Sequence, residues 1–148
     1  MRIIKRAIPD KNGFAIFKQV DKNIHMAECI PFLRVQDISQ TIRWYERIGF
    51  ICTATNRVWE PDCELNWAQL KLEGAEFMIG PDERKSNSGE KDSSLYFRME
   101  AIDEIKEKVK QEKITAEITE EKFYGRKEIS FEDLNGFHIT FSCHLDIK

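Results

Sequence analysis

The chain has 148 residues, of which 41% are hydrophobic and 33% charged, and its formal net charge is −3. This length suits one domain with a substantial core, and no apolar run approaches the roughly 20 residues that a membrane-spanning helix needs. A general phosphate-backbone binder needs a basic surface, which the negative net charge argues against. We therefore expect a protein that binds neither nucleic acid nor membrane.

The first 27 residues differ in pattern from the rest of the chain. Apolar residues at 3–4 and 14–17 flank the turn-rich stretch 9–13, which favours a β-hairpin. We predict residues 1–27 as an N-terminal extension and residues 28–148 as the domain proper. The basic N-terminus is followed neither by an apolar block nor by a small-residue cleavage site, and this predicts a cytoplasmic protein.

A strand followed by a helix opens the domain. Residues 29–35 have the composition of a strand, and Pro31 favours an edge position because proline cannot donate to a central ladder. The first position of a strand is the other place that suits Pro31. Asp37 suits a helix N-cap with Gln40 as its capping-box partner, and Gly49 suits the C-terminal end. The apolar residues of one helical face are Ile38, Ile42, Tyr45 and Ile48.

The remaining elements repeat this order. Strand-like segments occur at residues 50–55, 64–72 and 75–79, and a polar stretch at 82–92 predicts a solvated linker. Beyond it come a strand at 95–99, a helix marked by Ile102, Ile105 and Val109, and strands at 122–132 and 137–143. We expect two halves, at about residues 28–81 and 93–143.

Two nearly equal offsets support an internal duplication. Residues 33–38 match residues 97–102 at an offset of 64 (97 minus 33), and residues 74–79 match residues 136–141 at an offset of 62 (136 minus 74). Each half has too little core to stand alone, so the halves must pack together. The sequence predicts an α+β fold of two tandem βαβββ units, with a cupped mixed sheet and helices outside.

Several motifs resemble a known family. Residues 30–38, 44–46 and 48–50 resemble the opening of a bleomycin-resistance or glyoxalase-like domain, and residues 124–136 resemble its closing hairpin. In that hairpin Leu134 stands where the family usually has proline. The resemblance is to the vicinal oxygen chelate superfamily, which contains glyoxalase I, bleomycin-resistance proteins and ring-cleaving dioxygenases. It covers about residues 28–143 and is strongest for the bleomycin-resistance branch.

The resemblance also indicates where a metal would be held. Enzymes of the superfamily use histidine, glutamine or glutamate at four strand positions, which fall near Ile30, Met78, Ser94 and Thr140. Isoleucine cannot bind a divalent cation, methionine suits a hard one poorly, and neutral hydroxyls are weak ligands. We therefore predict no metal and no cofactor. A displaced pair, Glu76 and His138 (138 minus 76 is 62), stays open as an alternative.

Strand alternation predicts which side chains face the cup. Phe32 and Arg34 share a face with Ile30, whereas Tyr96 and Arg98 share a face with Ser94. Aromatic rings stack with planar ligands and arginine binds carboxylates. Walls or a lid are expected from three further aromatic residues, Trp59, Trp67 and Tyr124. The open alternatives are a core position for Trp67 and surface ion pairs for the arginines.

Three functions are consistent with these observations. The first is a small-molecule-binding protein that resembles bleomycin-resistance proteins and acts by metal-independent sequestration in a homodimeric, cupped pocket. The second is a metal-dependent lyase, isomerase or dioxygenase with atypical ligands such as Glu76 and His138. The third is a noncatalytic interaction module whose 1–27 arm docks another protein. Because the metal-ligand positions are replaced, the sequence argues against an enzyme.

Overall fold

The structure is a computed structural model that describes residues 5–9, 15–19, 28–84, 91–121 and 125–145. Near the N-terminus, β1 (Lys5–Pro9) and β2 (Ala15–Gln19) pair antiparallel. These are the two strands of the predicted hairpin, and the turn between them lies outside the described residues. The role of this arm stays a prediction.

The first half of the domain is one βαβββ unit. Its elements are β3 (Phe32–Val35), α1 (Ile38–Arg47), β4 (Ile51–Thr55), a single 3-10 turn (Asn56–Val58), β5 (Ala68–Leu72) and β6 (Ala75–Pro81). The four strands form one sheet in the order β3-β6-β5-β4, with β3 parallel to β6. Strand β3 begins directly after Pro31 and lies at the edge of its sheet, so both positions predicted from Pro31 are observed.

The second half repeats this arrangement. Its elements are β7 (Ser94–Arg98), α2 (Asp103–Gln111), β8 (Glu117–Glu121), β9 (Arg126–Glu132) and β10 (His138–His144). They form a second four-stranded sheet in the equivalent order β7-β10-β9-β8, with β7 parallel to β10. The predicted fold class, two tandem βαβββ units with mixed sheets, is confirmed.

Strand register shows that the duplication extends to single residues. Phe32 on β3 lies opposite Met78 on β6, and Tyr96 on β7 lies opposite Thr140 on β10. The first members of these pairs are 64 positions apart and the second members 62, the same offsets that relate the matching segments of sequence. Positions compared between the halves are therefore structurally equivalent.

Helix α1 begins and ends where its capping residues predict. The Asp37 carboxylate accepts a hydrogen bond from the backbone N–H of Gln40 at 2.8 Å, which satisfies one of the free donors of the first turn. Gly49 has φ of +111°, a conformation that residues with a side chain rarely adopt. The predicted face of the helix is buried at Ile38, Tyr45 and Ile48.

Two strand predictions are wrong in detail. The sequence predicts residues 64–67 as strand, but β5 begins at Ala68. The side chain of Asn56 accepts hydrogen bonds from the backbone N–H groups of Asn66 and Trp67, so those donors serve a loop instead of a ladder. The sequence pattern also misses β8 at Glu117–Glu121, because its single apolar residue, Ile118, gives no alternation.

Both halves contribute to one core. Alternate residues of β3 and β7 are buried, among them Leu33, Val35, Leu95 and Phe97. The ring of Phe50, which lies just after α1, is 5.6 Å from that of Phe77 and 5.5 Å from that of Phe97, so it contacts both halves.

No described helix is long and apolar enough to cross a bilayer.

Candidate functional site

Each sheet turns an open face away from the shared core. Alternation along β3 exposes Phe32 and Arg34, and alternation along β7 exposes Tyr96 and Arg98. Phe32 is 45% exposed and Tyr96 49% exposed, which is unusual for large rings in regular strands. Each half thus presents one aromatic residue and one arginine at equivalent positions, as strand parity predicts.

The largest of three cavities that the described residues line, of about 660 Å³, lies between the halves. Its lining includes Ile30, Glu76 and Lys71 from the first half and Ser94 and Tyr96 from the second. The Tyr96 hydroxyl donates to the carboxylate of Glu128, and Gln69 Nε2 donates to Glu76 Oε2 at 2.8 Å. This cavity can therefore offer a hydrogen-bonded phenol and carboxylates next to an apolar wall.

A second cavity, of about 270 Å³, also draws on both halves. We call it the Phe32 cavity, and its lining includes Phe32, Arg34, Arg84, Lys91 and Phe137. The guanidinium carbon of Arg34 lies 4.8 Å from the centroid of the Phe32 ring, within cation–π range. The ammonium of Lys91 lies 5.7 Å from the centroid of the Phe137 ring. The cavity thus combines aromatic faces with cations.

A nearly covered carboxylate holds two of these cations. Asp82 forms ion pairs with Arg84 at 2.9 Å and with Lys91 at 3.2 Å, and its side chain is only 2% exposed. These hydrogen bonds, with that of Arg84 the strongest, hold the pKa of Asp82 well below its ordinary value. The prediction of a solvated linker at 82–92 is therefore wrong at its two ends, where Asp82 and Lys91 join the halves.

Glycine at position 80 leaves room for the Phe32 ring. A Cβ atom at Gly80 would lie 2.7 Å from Phe32 Cζ and 2.9 Å from Cε1, closer than atoms can pack. The Cζ–Cε1 edge of the ring therefore lies against the backbone of β6 at this position. The equivalent position in the second half is Ser142, which is buried and bonded to Arg126. Of these two positions, the one in the first half alone leaves room for a ring.

The other predicted ligand-binding residues lie elsewhere. Arg98 lines a third cavity, of about 270 Å³, with Gly74 and Met99. Trp59 is 71% exposed beyond the 3-10 turn, and its ring lies 5.9 Å from that of half-buried Trp67. Tyr124 lies outside the described residues. The structure thus distributes the predicted set over several surfaces instead of gathering it in one pocket.

The chain is similar to known proteins in its structure. No family model and no curated protein sequence matches the chain. A bleomycin resistance determinant encoded on transposon Tn5 superposes with a TM-score of 0.65 at 15% identity, over 80% of this chain and 98% of that one. A bleomycin-binding protein complexed with bleomycin gives 0.60 at 16%, over 80% and 99%. A putative glyoxalase family protein from Bacillus anthracis gives 0.60 at 17%, over 82% and 98%.

The chain has the bleomycin-resistance fold. The glyoxalase family neighbour has the same fold. At these identities the likeness establishes the fold alone. What the bleomycin-resistance fold does in this chain depends on the chain's own side chains.

The four positions near which the sequence resemblance places a metal do not suit one here. Ile30 has no donor atom, Met78 offers only a thioether, and Ser94 offers a neutral hydroxyl. The hydroxyl of Thr140 is 3.0 Å from that of Ser130 and is already hydrogen-bonded. Such a set provides no charged or imidazole ligand for a divalent cation. Among the described residues, no three His, Cys, Asp or Glu side chains are clustered for metal binding.

The side chains of the alternative pair, Glu76 and His138, lie in different surroundings. Glu76 lines the largest cavity, where it accepts a hydrogen bond from Gln69. His138 is exposed on β10 opposite Ser94 and lines none of these three cavities. One carboxylate and one exposed imidazole in different surroundings do not by themselves form a metal site. The pair stays an open alternative.

Sequence reasoning missed several residues of these cavities. Lys91 lies at the end of the linker and Phe137 directly after the final turn, where nothing in the sequence indicates that they line a cavity with β3. Glu128 could have been found, because it shares strand parity with Ser130 on a strand predicted to close the sheet. Gly80 carries no signal of its own, since only the position of the Phe32 ring shows why a side chain is excluded there.

Proposed function

We propose that this protein binds a small planar molecule on its open sheet faces and sequesters it without a metal. The observation that carries the proposal is the chemistry at equivalent positions of the two halves: exposed rings at Phe32 and Tyr96, beside metal-ligand positions without suitable donors. Stacking and shape supply affinity without a nucleophile or Lewis acid. A structural neighbour that binds bleomycin supports this class of function, but bleomycin itself is not proposed as the ligand.

We propose further that a second copy of the chain completes the pocket. One face of each sheet is used by the shared core, so the other face is free to meet a second copy. Exposed apolar side chains on the open face of the first sheet include Phe32 and Ile51, which is 66% exposed and lies opposite Lys71. These two side chains lie on the two edge strands of that face, and exposed apolar side chains of this size are found at association surfaces.

The other two functions have weaker support. A metal-dependent lyase, isomerase or dioxygenase would need ligands beyond Glu76 and His138, and the first of these is already engaged by Gln69. A noncatalytic interaction module does not account for the cavity of about 660 Å³. The arm at residues 1–27 could serve either a homodimer or a different partner, and cytoplasmic location remains part of the proposal.

A thermal-shift screen of planar aromatic and peptide-like compounds tests the proposal. A ligand at 100 times its dissociation constant adds about 2.7 kcal/mol to stability, which raises Tm by about 5 °C or more in a chain of this size. We expect at least one such compound, with the shift unchanged by EDTA and reduced in Tyr96→Ala. The matched control is Ile118→Ala, which removes an exposed apolar side chain from β8.

Two outcomes would contradict the proposal. If no compound of these classes raises Tm, small-molecule sequestration loses its support. If a shift disappears with EDTA and returns with added metal, the metal-dependent enzyme becomes the better account. Light scattering during size-exclusion chromatography tests the second copy, since a monomer at micromolar concentration would exclude a pocket that two chains complete.

A further inference from the structure

We infer that the Phe32 cavity is a subsite for the carboxylate of an aromatic acid. The inference deepens the proposed function, on which it rests, by naming the chemical class of ligand. It depends on three features of the cavity: a guanidinium with no carboxylate partner among the described residues, an excess of positive charge and an exposed aromatic ring. Each of these is visible in the described residues.

The guanidinium of Arg34 is available to a ligand. Its described contacts are the Phe32 ring at 4.8 Å and the backbone oxygen of Pro81 at 3.4 Å, a long hydrogen bond. In the part of the chain that the structure describes, no carboxylate lies within ion-pair distance of Arg34. Arginine has five N–H donors in a planar fork, so most of them can reach a carboxylate in a bidentate arrangement.

The charge of the cavity favours an anion. Arg34, Arg84 and Lys91 line it, against one acidic residue, Asp92. Asp82 lies behind two of these cations and neutralises one further charge, which leaves one positive charge in excess. The largest cavity has the opposite balance, because Glu28 and Glu76 outnumber Lys71. A ligand that carries an anionic group therefore gains more at the Phe32 cavity than at its neighbour.

The aromatic lining favours an anion that is attached to a ring. Gly80 lets the edge of the Phe32 ring lie against β6 while the ring stays 45% exposed, and the buried Phe137 ring forms part of the cavity wall. A planar ring can stack on Phe32 while its carboxylate meets Arg34. Inorganic phosphate would use the cations but leave the ring surface uncovered. The volume of about 270 Å³ fits a group as small as benzoate.

Isothermal titration with sodium benzoate tests this inference, with benzamide and inorganic phosphate as probes at matched ionic strength. We expect benzoate to bind and both other probes to bind at least tenfold more weakly. Arg34→Gln should weaken benzoate binding at least tenfold, because a charge-assisted bidentate pair is lost. Arg43→Gln, which makes the same charge change on the exposed face of α1, should leave benzoate binding unchanged.

A second variant tests the ring. Gly80→Ala places a Cβ atom against Phe32 Cζ, so the ring must shift away from β6 and from its position in the cavity. We expect benzoate to bind several-fold more weakly, and the melting temperature of each variant identifies any that fail to fold. Unchanged benzoate affinity in Arg34→Gln overturns the inference, as does equal loss in Arg43→Gln, or phosphate or benzamide binding as tightly as benzoate.

The failure of this inference can be told apart from failure of the proposed function. If benzoate does not bind but other planar compounds still raise Tm in a Tyr96-dependent manner, the inference is wrong and sequestration stands. If benzoate binds through Arg34 but no compound depends on Tyr96, the subsite stands and the larger pocket is wrong.

Discussion

Replacing Phe50 with alanine is expected to lower the free energy of unfolding by about 4 kcal/mol, the typical loss for a buried phenylalanine. Its ring is 2% exposed and lies 5.1 Å from Tyr45, 5.6 Å from Phe77, 5.5 Å from Phe97 and 6.3 Å from Phe141. It therefore joins the first half of the chain to the second. Urea unfolding, followed by tryptophan fluorescence and by circular dichroism, measures the effect.

The next residue along the chain provides a matched control. Ile51, the first residue of β4, is 66% exposed, so Ile51→Ala should cost less than about 1 kcal/mol. A loss in Phe50→Ala no larger than that of Ile51→Ala would mean that the two halves do not share a core. Two separate unfolding transitions in the wild-type protein would contradict the shared core as well.

Asp133→Ala is expected to cost about 3 kcal/mol. The buried carboxylate accepts hydrogen bonds from the Tyr45 hydroxyl at 2.7 Å, the Asn135 backbone N–H at 2.8 Å and the Phe137 backbone N–H at 2.9 Å. Removing it leaves three donors without their acceptor in a buried setting. Tyr45→Phe removes one of these bonds and should cost about 1.5 kcal/mol. Denaturant unfolding at constant pH measures both losses.

The neighbouring Glu132 is exposed and supplies the control, since Glu132→Ala should change stability by less than about 0.5 kcal/mol. In a double-mutant cycle, Tyr45→Phe should cost little more once Asp133 is already alanine, because the shared bond is counted once. Full additivity of the two losses would contradict a hydrogen bond between the halves.

The same carboxylate predicts a pH dependence. Burial raises the pKa of Asp133 above its ordinary value of 3.8, and hydrogen bonds from Tyr45, Phe137 and Asn135 offset part of the rise. A raised folded-state pKa gives a stability contribution that is complete below the unfolded value and lost as pH rises through the folded value. The stability deficit of Asp133→Asn relative to wild type should therefore shrink as pH rises from about 3.5 to 7.

Much of the fold could be predicted because it depends on local patterns. The N-cap at Asp37, the end of α1 at Gly49 and the alternation along β3 are each encoded within a few residues. The duplication appears as two offsets in the sequence and returns as strand register. The sequence pattern does not predict β8, because both faces of this strand are largely exposed and Ile118 is its single apolar residue.

The site was less predictable because it depends on contacts between distant segments. Strand parity correctly indicates that Phe32 and Tyr96 are exposed, but not that they line different cavities. The segment that contains Asp82 and Lys91 has the composition of a linker, but their ion pair holds Lys91 in a cavity wall. No local pattern encodes such pairings, since each depends on how the two halves pack.

The metal content of the protein, purified without chelator, tests the central claim most directly. Because Ile30, Met78, Ser94 and Thr140 offer no strong ligand, elemental analysis should find nickel, zinc, iron and manganese far below one atom per chain. Planar compounds should still bind to that protein. One tightly held metal per chain, lost in Glu76→Ala or His138→Ala, would contradict metal-independent binding and favour an enzyme.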